Sequence, residues 1–420
     1  MNAPRWAALR HHDYRLLWLG LLVSFIGSQM QLTVVNWQVF ELLRGQSSTI
    51  SIFGWQIALS ADALGLGTLG LARVAPIFVF ALVGGALADS TDRRRVLLVS
   101  QLLAMLSAGV LALFTLAGFT DLVTIYVLTA INSAAAALGN PSRQALVPNL
   151  VPKEDFTNAV SLNSLILQIS QIGGPALAGL LIGVVSIGWL YAFNALTFLG
   201  TVIAVLAMRY RDARASAPAR VDISAIAEGF RFVFGARLLR STMLLDFWAT
   251  FFSSARTMLP IVASELLKTD AAGFGLLSTA QAVGSLITGV LMTLRRDIKR
   301  QGLVLLASVA IYGAATAVFG LATNFAVSYL LFAITGAADT VSTVIRNVVR
   351  QLATPDHMCG RMVGVNQIFF QGGPQLGELE AGVVGAAFGV PFAIVSGGIA
   401  TVLITAWVAW RYPDLRERQA

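Results

Sequence analysis

Cysteine, lysine, histidine and charge are all scarce in this chain. One cysteine, Cys359, stands among 420 residues, which excludes an intramolecular disulfide and any multi-cysteine metal site. The three lysines, Lys153, Lys268 and Lys299, never follow a glycine, so no Walker A phosphate loop is present and ATP is not hydrolysed in that manner. His11, His12 and His357 form no His-Glu-x-x-His cluster, and no Gly-x-Ser-x-Gly occurs. The chain therefore lacks the residues of a metalloprotease or a serine hydrolase, and we expect no enzyme activity, no cofactor and no metal. Charged residues make up 12% of the chain and hydrophobic ones 56%, where a soluble domain carries about 25% charge. A water-facing surface cannot be built from half the usual charge. With a mean hydropathy of +0.75, the chain reads as an integral membrane protein.

What is present is a series of long apolar runs. Residues 96–120, 122–142, 156–208, 301–338 and 381–410 contain no Asp, Glu, Lys or Arg. A span needs about 20 mostly apolar residues, so the longest of these runs each hold more than one. Read this way, the chain gives twelve helices, near 17–40, 64–88, 96–117, 122–140, 158–183, 187–208, 242–264, 273–294, 302–322, 325–345, 363–388 and 390–410. The runs are apolar on consecutive positions, which excludes the alternation of a transmembrane barrel. The expected fold class is an all-α membrane protein. Residues 1–15 are polar and the apolar stretch after them is too long for a cleavable signal, so that stretch is expected to be a retained span.

The basic residues set the orientation. Of 29 Lys and Arg, 25 fall at the termini or in even-numbered connections; Arg44, Arg73, Arg256 and Lys268 are the rest. Because positive loops stay inside, both termini are expected in the cytoplasm. The net charge of +8 is read as this topology signal, not as a nucleic-acid surface.

Arg143/Arg346, Pro152/Pro355, Asn163/Asn366, Gln168/Gln371 and Gly179/Gly382 all recur at one common offset with no gap. The offset is close to half the chain, which suggests two six-helix, pseudo-symmetric halves. We expect an N-terminal half over 1–208, a cytoplasmic linker over 209–240 and a C-terminal half over 241–420. The linker holds seven arginines, and Ile223, Ile226, Phe230 and Val233 follow helical spacing there, as for an amphipathic helix on the membrane surface. The stretch 45–63, with Trp55 and Asp62, is longer than a first outer loop needs.

Between the second and third spans stands Gly84-Gly-Ala-Leu-Ala-Asp89-Ser-Thr-Asp92-Arg93-Arg94-Arg95. Small residues there let a neighbouring helix approach, and an acid precedes a cationic cluster. By itself this could be a solvated loop that sets topology. The stretch closely resembles the loop 2–3 signature of the major facilitator superfamily, with Gly85, Asp89, Asp92, Arg93, Arg94 and Arg95 in its positions. Ser90 departs from the basic residue common after the Asp. Twelve spans, a midpoint loop and paired halves extend the resemblance over the whole chain. Within the superfamily, His12-Asp-Tyr-Arg-Leu-Leu-Trp18, Asn140-Pro-Ser-Arg-Gln-Ala-Leu-Val-Pro148 and Gly360-Arg-Met-Val-Gly-Val-Asn366 look like the branch that holds the enterobactin exporter and macrolide efflux proteins. The resemblance implies export of siderophores, macrolides or other amphipathic drug-like molecules by proton antiport, with the Asp89–Arg95 motif as a gating latch. Gly174-Pro175 with Ala178-Gly179 is similar to a degenerate fifth-helix antiporter motif. No Arg occurs between Leu122 and Ser142, where antiporters of the superfamily often carry one, so another residue must handle protons.

Charges inside a membrane cost about 2.5–3.5 kcal/mol at the midplane and are usually functional. Glu378, Glu380, Asp246 and Asp339 are the candidate proton carriers, Glu378 first because it lies near the middle of its span. Two residues apart on a helix, Glu378 and Glu380 point about 200° apart, so at most one squarely faces a cavity. The competing reading is structural pairing with Arg73 or Arg256. Gln29, Gln31, Asn36 and Gln38, with Arg73 and Arg256, form a candidate polar wall for substrate; amides at that depth equally serve as hydrogen bonds between helices. Trp37, Phe247, Trp248, Phe251, Phe252, Phe369 and Phe370 are stacking candidates.

The leading reading is a secondary transporter of the bacterial inner membrane that works by alternating access. Its expected partners are a small-molecule substrate, a proton and the lipid bilayer, with no nucleic acid, and it is expected to act as a monomer. An importer or facilitator on the same fold is the alternative. A receptor or scaffold would have no charges inside the bundle and a larger soluble domain.

Overall fold

A computed structural model describes residues 6–52, 55–211, 223–294, 300–355 and 358–416. The chain is helical: α1 (His12–Leu43), α2 (Ala61–Ser90), α3 (Arg93–Leu116), α4 (Leu122–Leu150), α5 (Phe156–Ile182), α6 (Ile187–Ala207), α7 (Ile223–Gly235), α8 (Arg237–Phe252), α9 (Leu259–Ile261), α10 (Ala271–Leu294), α11 (Gln301–Phe319), α12 (Phe325–Leu352), α13 (Cys359–Phe388), α14 (Val390–Arg411) and α15 (Pro413–Arg416). Among the described residues, ten helices are long and apolar enough to cross a membrane. These are α1 to α6, α10, α11, α12 and α14. With α13 and the segment that begins at α8, they occupy the twelve positions expected.

That eighth helix corrects the continuous span expected over 242–264. α8 stops at Phe252, a 3₁₀ turn runs over Arg256–Met258, α9 is one turn long, and a wide π turn covers Val262–Leu266. Pro260 has no N–H for an interior helical bond and sits at the first turn of α9, where none is needed. The hydroxyls at the break bond elsewhere: Ser254 donates to the Pro374 carbonyl at 3.0 Å, and Ser253 pairs with Thr401 at 2.7 Å.

The long stretch 45–63 contains an antiparallel hairpin, β1 (Ser47–Ile52) with β2 (Trp55–Ser60), in register from Ser47↔Ser60 to Ile52↔Trp55. Asp62 then opens α2, its carboxylate accepting from the Ala63 N–H at 2.7 Å.

Three helices, α3, α4 and α12, carry side-chain caps at their starts, and some starts repeat along the chain. Asp121 accepts from the Thr124 N–H at 2.8 Å to cap α4, and Asn324 accepts from the Val327 N–H at 3.2 Å to cap α12, the usual role of a short polar side chain at that position. Hydrogen bonds from Thr124 hold the exposed Asp121 carboxyl below its ordinary value. The starts of α4 and α12, and likewise those of α5 and α13, are separated by the same offset that relates Arg143 to Arg346 in the sequence.

The chain divides into two compact units. The first holds Met1–Gln38 and Ala72–Val221, the second Val39–Leu71 and Asp222–Ala420. In the first, Tyr14, Leu17, Trp18 and Leu21 of α1 pack with Leu97, Leu146, Leu162, Ile166 and Val205. In the second, Leu245 and Ala249 of α8 meet Leu305 and Val309 of α11, Ile345 and Val349 of α12, and Val408 of α14. The linker helix α7 uses Phe230 and Val233 against Leu239, Met243, Met362 and Val365; that part of its apolar face is covered by protein. The side chains of Ile223 and Ile226, and residues 212–222, lie outside the described residues.

The surface is inverted relative to a soluble protein. Leu113, Leu196 and Leu403 are 67%, 62% and 64% exposed, while Asn194, Thr201, Thr242, Ser328 and Thr401 are fully buried. Lipid is as apolar as leucine, so helices associate through small residues and internal polar contacts. A side chain at Gly336 of α12 would run into the Gln281 carbonyl of α10. Such overpacking costs about 1–3 kcal/mol or more. Gly336→Leu is therefore expected to lower the thermal unfolding midpoint of the purified protein by several degrees and cut its monodisperse yield, whereas Gly289→Leu, in open space, leaves both unchanged.

Candidate functional site

Two groups of acids define the second unit, and α8, α12 and α13 bring the first of them together. Asp246 on α8 is buried, and each of its oxygens meets a guanidinium from α12: Arg346 Nη1 at 2.5 Å and Arg350 Nη2 at 3.2 Å. Arg346 Nη2 also lies 3.6 Å from Asp339 and donates to the Thr343 hydroxyl at 2.8 Å. Arg350 donates to Asn366 of α13 and to the Thr242 carbonyl. Two arginines and two aspartates thus make a neutral, hydrogen-bonded cluster, the form in which buried charge is tolerated. Asp246 has both oxygens occupied. The Asp339 side chain remains 42% exposed.

The second group lies on α13. Glu378 is 7% exposed and packs on the first half of α2, where a Cβ added at Gly70 would lie 2.7 Å from the Glu378 Cβ and 3.2 Å from its Oε2. Without a side chain at position 70, the carboxylate fits between helices. Gly67 and Gly382 bring the same two helices into backbone contact. Glu380 faces another way and is partly exposed, with no hydrogen bond or ion pair among the described residues. Two residues apart on one helix, the two side chains leave the axis about 200° apart. On its opposite face α13 meets α8, where Gly377 packs against the Phe251 backbone.

In the first unit the amide column of α1 is used between helices. Gln31 accepts from Asn194 and Gln38 from Tyr191, both on α6, the latter at 2.6 Å. Asn36 accepts from Arg73 Nη2 at 2.6 Å. Of the four amides, Gln29 differs: its Oε1 is buried and has no partner among the described residues. Arg256 is partly buried in the 3₁₀ turn after α8.

The basic motif is also structural within this unit. A cation at a helix N-terminus opposes the dipole, and the arginines at the start of α3 reach to the negative ends of other helices. Arg93 donates to the Ala145 carbonyl near the end of α4 at 2.9 Å; Arg94 donates to the carbonyls of Val205 and Tyr210 at the end of α6, the latter at 2.7 Å. Asp92 caps α3 through the Arg94 N–H at 2.9 Å, and Arg95, 86% exposed at its side chain, lies 3.6 Å from Asp92. The surroundings of Gly85 and the side chain of Asp89 lie outside what is described.

The opening stretch 12–18 and Asn163 make contacts that local sequence does not specify. Asp13 accepts from the Arg209 and Tyr210 N–H groups at 3.1 and 2.7 Å, Tyr14 donates to the Ala159 carbonyl and to Asn163, and Trp18 donates to the Leu162 carbonyl. The bonds of Tyr14 and Trp18 dock α1 on α5. A polar or amphipathic residue at each turn of an otherwise apolar helix start was the available signal. Of the stacking candidates, Phe247, Trp248, Phe251, Phe252 and Phe369 form one edge-and-face aromatic cluster.

Comparison with known proteins agrees with this architecture. A bacterial homologue of the human lysosomal transporter Spinster superposes over 100% of both chains with a TM-score of 0.73 at 14% identity. A bacterial homologue of the iron transporter ferroportin in an inward-facing state covers 97% of this chain and 99% of its own, with a TM-score of 0.70 at 15% identity. The fold is that of the major facilitator transporters. A profile of the family described as transmembrane secretion effector matches residues 3–420, and the chain belongs to this family. It is a multi-pass membrane transporter of small molecules, not an enzyme. Among curated proteins, the enterobactin exporters EntS of Shigella dysenteriae serotype 1 and of Escherichia coli O81 are each 26% identical to it over 393 residues, 92% of this chain and 89% of the relative.

Removing one side of a buried ion pair leaves an uncompensated charge, at a cost of about 3–5 kcal/mol. Asp246→Asn, which strands two guanidiniums, is expected to lower the unfolding midpoint sharply. Asp339→Asn, which removes one partly exposed partner at 3.6 Å, should shift it far less. Thermal unfolding of the two variants side by side checks this order.

Proposed function

We propose that this chain exports a small amphipathic molecule, of the siderophore or macrolide class, across the bacterial inner membrane in exchange for protons. It works by alternating access as a monomer, with both termini in the cytoplasm, two six-helix halves over 1–208 and 241–420, and the segment 209–240 joining them. The reading rests first on the alignment with enterobactin exporters along 92% of the chain. The excess of Lys and Arg in even-numbered connections supports the orientation. The motif Gly85, Asp89, Asp92, Arg93, Arg94 and Arg95 serves as the gating latch, and its arginines already tie together the ends of three helices of the first unit.

The proton site is assigned to Glu378. Its burial against Gly70, on a helix whose Gly372-Gly373-Pro374 lies one turn earlier, supports the choice. A carboxyl set apart from bulk water is what a proton carrier needs. Glu380 is second. Within the ionic cluster, Asp339 is the acid a proton reaches, since both oxygens of Asp246 are filled. Gln29 in the first unit and Arg256 in the second are separate candidates for substrate contact, whereas Gln31, Asn36, Gln38 and Arg73 contribute mainly by holding helices in place.

The test uses the protein in liposomes with an internal pH dye and an imposed proton gradient, to which enterobactin and macrolides are added in turn. Substrate-dependent proton movement is expected, with at least a tenfold loss in Glu378→Gln and a smaller one in Glu380→Gln. Substrate flux without proton movement would instead define a facilitator.

A further inference from the structure

The duplicated arginines live in opposite electrostatic surroundings. Arg346 on α12 and Arg143 on α4 occupy equivalent places in the repeat, and each reaches back one turn to a polar side chain: Arg346 Nη2 to Thr343 at 2.8 Å, Arg143 Nη2 to Asn140 at 3.3 Å. Thr343 and Asn140 keep the same offset. There the likeness ends. Arg346 is neutralised by Asp246 of α8 and Asp339 of its own helix. At the offset of Asp339 the first half has Ala136, and α1 carries no acid between Asp13 and Glu41. No acidic side chain pairs with Arg143 among the described residues.

Instead its guanidinium lies over the ring of Phe25 on α1, 4.9 Å from the centroid. Its Nε is buried with no hydrogen-bond partner among the described residues, and the residue as a whole is partly exposed. Two buried amide oxygens on neighbouring helices likewise have no partner among the described residues, Gln29 Oε1 on α1 and Gln168 Oε1 on α5. Gln29 stands one turn beyond Phe25 on the same face of α1. α1 and α5 run side by side in one direction, Trp18 meeting Leu162 and Gln29 meeting Gly174, which puts Gln168 at the height of this stretch of α1.

A cation inside a membrane protein without an anion is costly. A stacked guanidinium keeps its charge, and the one in-plane hydrogen bond found for Arg143 among the described residues is the long one from Nη2 to Asn140, which leaves donor capacity at its terminal nitrogens for a carboxylate or phenolate. We propose that Arg143, backed by Phe25, is the recognition site for an oxyanion on the transported molecule, and that Gln29 and Gln168 accept hydrogen bonds from hydroxyl or amide groups beside it. The substrate is then an anionic aromatic or hydroxylated molecule, not a neutral or cationic drug. This assignment rests on the exporter reading and narrows its substrate class.

The test measures binding by calorimetry to the purified full chain, with salicylate and methyl salicylate as probes that differ in the anion. A charge-assisted hydrogen-bond pair corresponds to about a tenfold to hundredfold change in affinity. Salicylate is expected to bind at least tenfold more tightly than its ester. Arg143→Gln should abolish the difference, and Arg143→Lys, which keeps the charge but not the planar fork, should retain part of it. The unliganded Arg143→Gln protein should unfold no lower than the unaltered chain, whereas Arg346→Gln unfolds lower. Equal binding of acid and ester, no binding of salicylate, or an unchanged preference in Arg143→Gln overturns the proposal. Should Arg143→Gln not fold, the acid–ester comparison on the unaltered chain decides. The exporter reading fails separately: salicylate binding without enterobactin or macrolide flux in liposomes would sink export and leave the anion site standing.

Discussion

Hydrocarbon offers a polar group nothing to bond with, and nearly every specific contact in this protein answers that constraint. Backbone groups are satisfied within helices, and what remains are side chains and helix ends that must find partners inside the protein. The solutions differ with the charge involved. Neutral amides on α1 pair with Asn194 and Tyr191 of α6. The arginines of the basic motif use carbonyls at the ends of α4 and α6. Full charges on α8 and α12 neutralise one another around Asp246.

Close helix approach and polar pairing depend on each other. Glu378 can lie buried because Gly70 leaves it room, and α13 can meet α8 because Gly377 has no side chain to obstruct the Phe251 backbone. The broken helix around 253–266 follows the same logic. Side-chain hydroxyls at the break, Ser253 and Ser254, tie it to α14 and α13. A gate or coupling element built from such parts moves between discrete packings, since interfaces of this density do not deform smoothly.

The helices that repeat share a frame and not a charge pattern. The starts of α4 and α12, of α5 and α13, and of α6 and α14 fall at a single offset, with a capping Asp121 on α4 and Asn324 on α12. Arg143 and Arg346 repeat too, yet one faces an aromatic ring and the other a carboxylate. Equivalent positions thus carry a closed ionic cluster on α12 and, on α4, an arginine laid against an aromatic ring.

Much of the fold was legible in the sequence because a bilayer acts on each residue locally. Composition alone places the chain in the membrane, run lengths place most of the helices, and Asp92, Asp121 and Asn324 mark helix starts by their own chemistry. The constant spacing of Arg143/Arg346, Pro152/Pro355 and Asn163/Asn366 announces the duplication. What tertiary structure decided is partner choice. Asp246 and Arg350 are 104 residues apart, and Tyr14 and Asn163 are 149 apart. Nothing local states that these face one another, that Gln31 is occupied while Gln29 is not, or that Glu378 is the buried member of its pair. Those facts follow from how helices rotate about their axes when small residues let them touch, a long-range packing outcome that a local pattern of apolar residues does not encode.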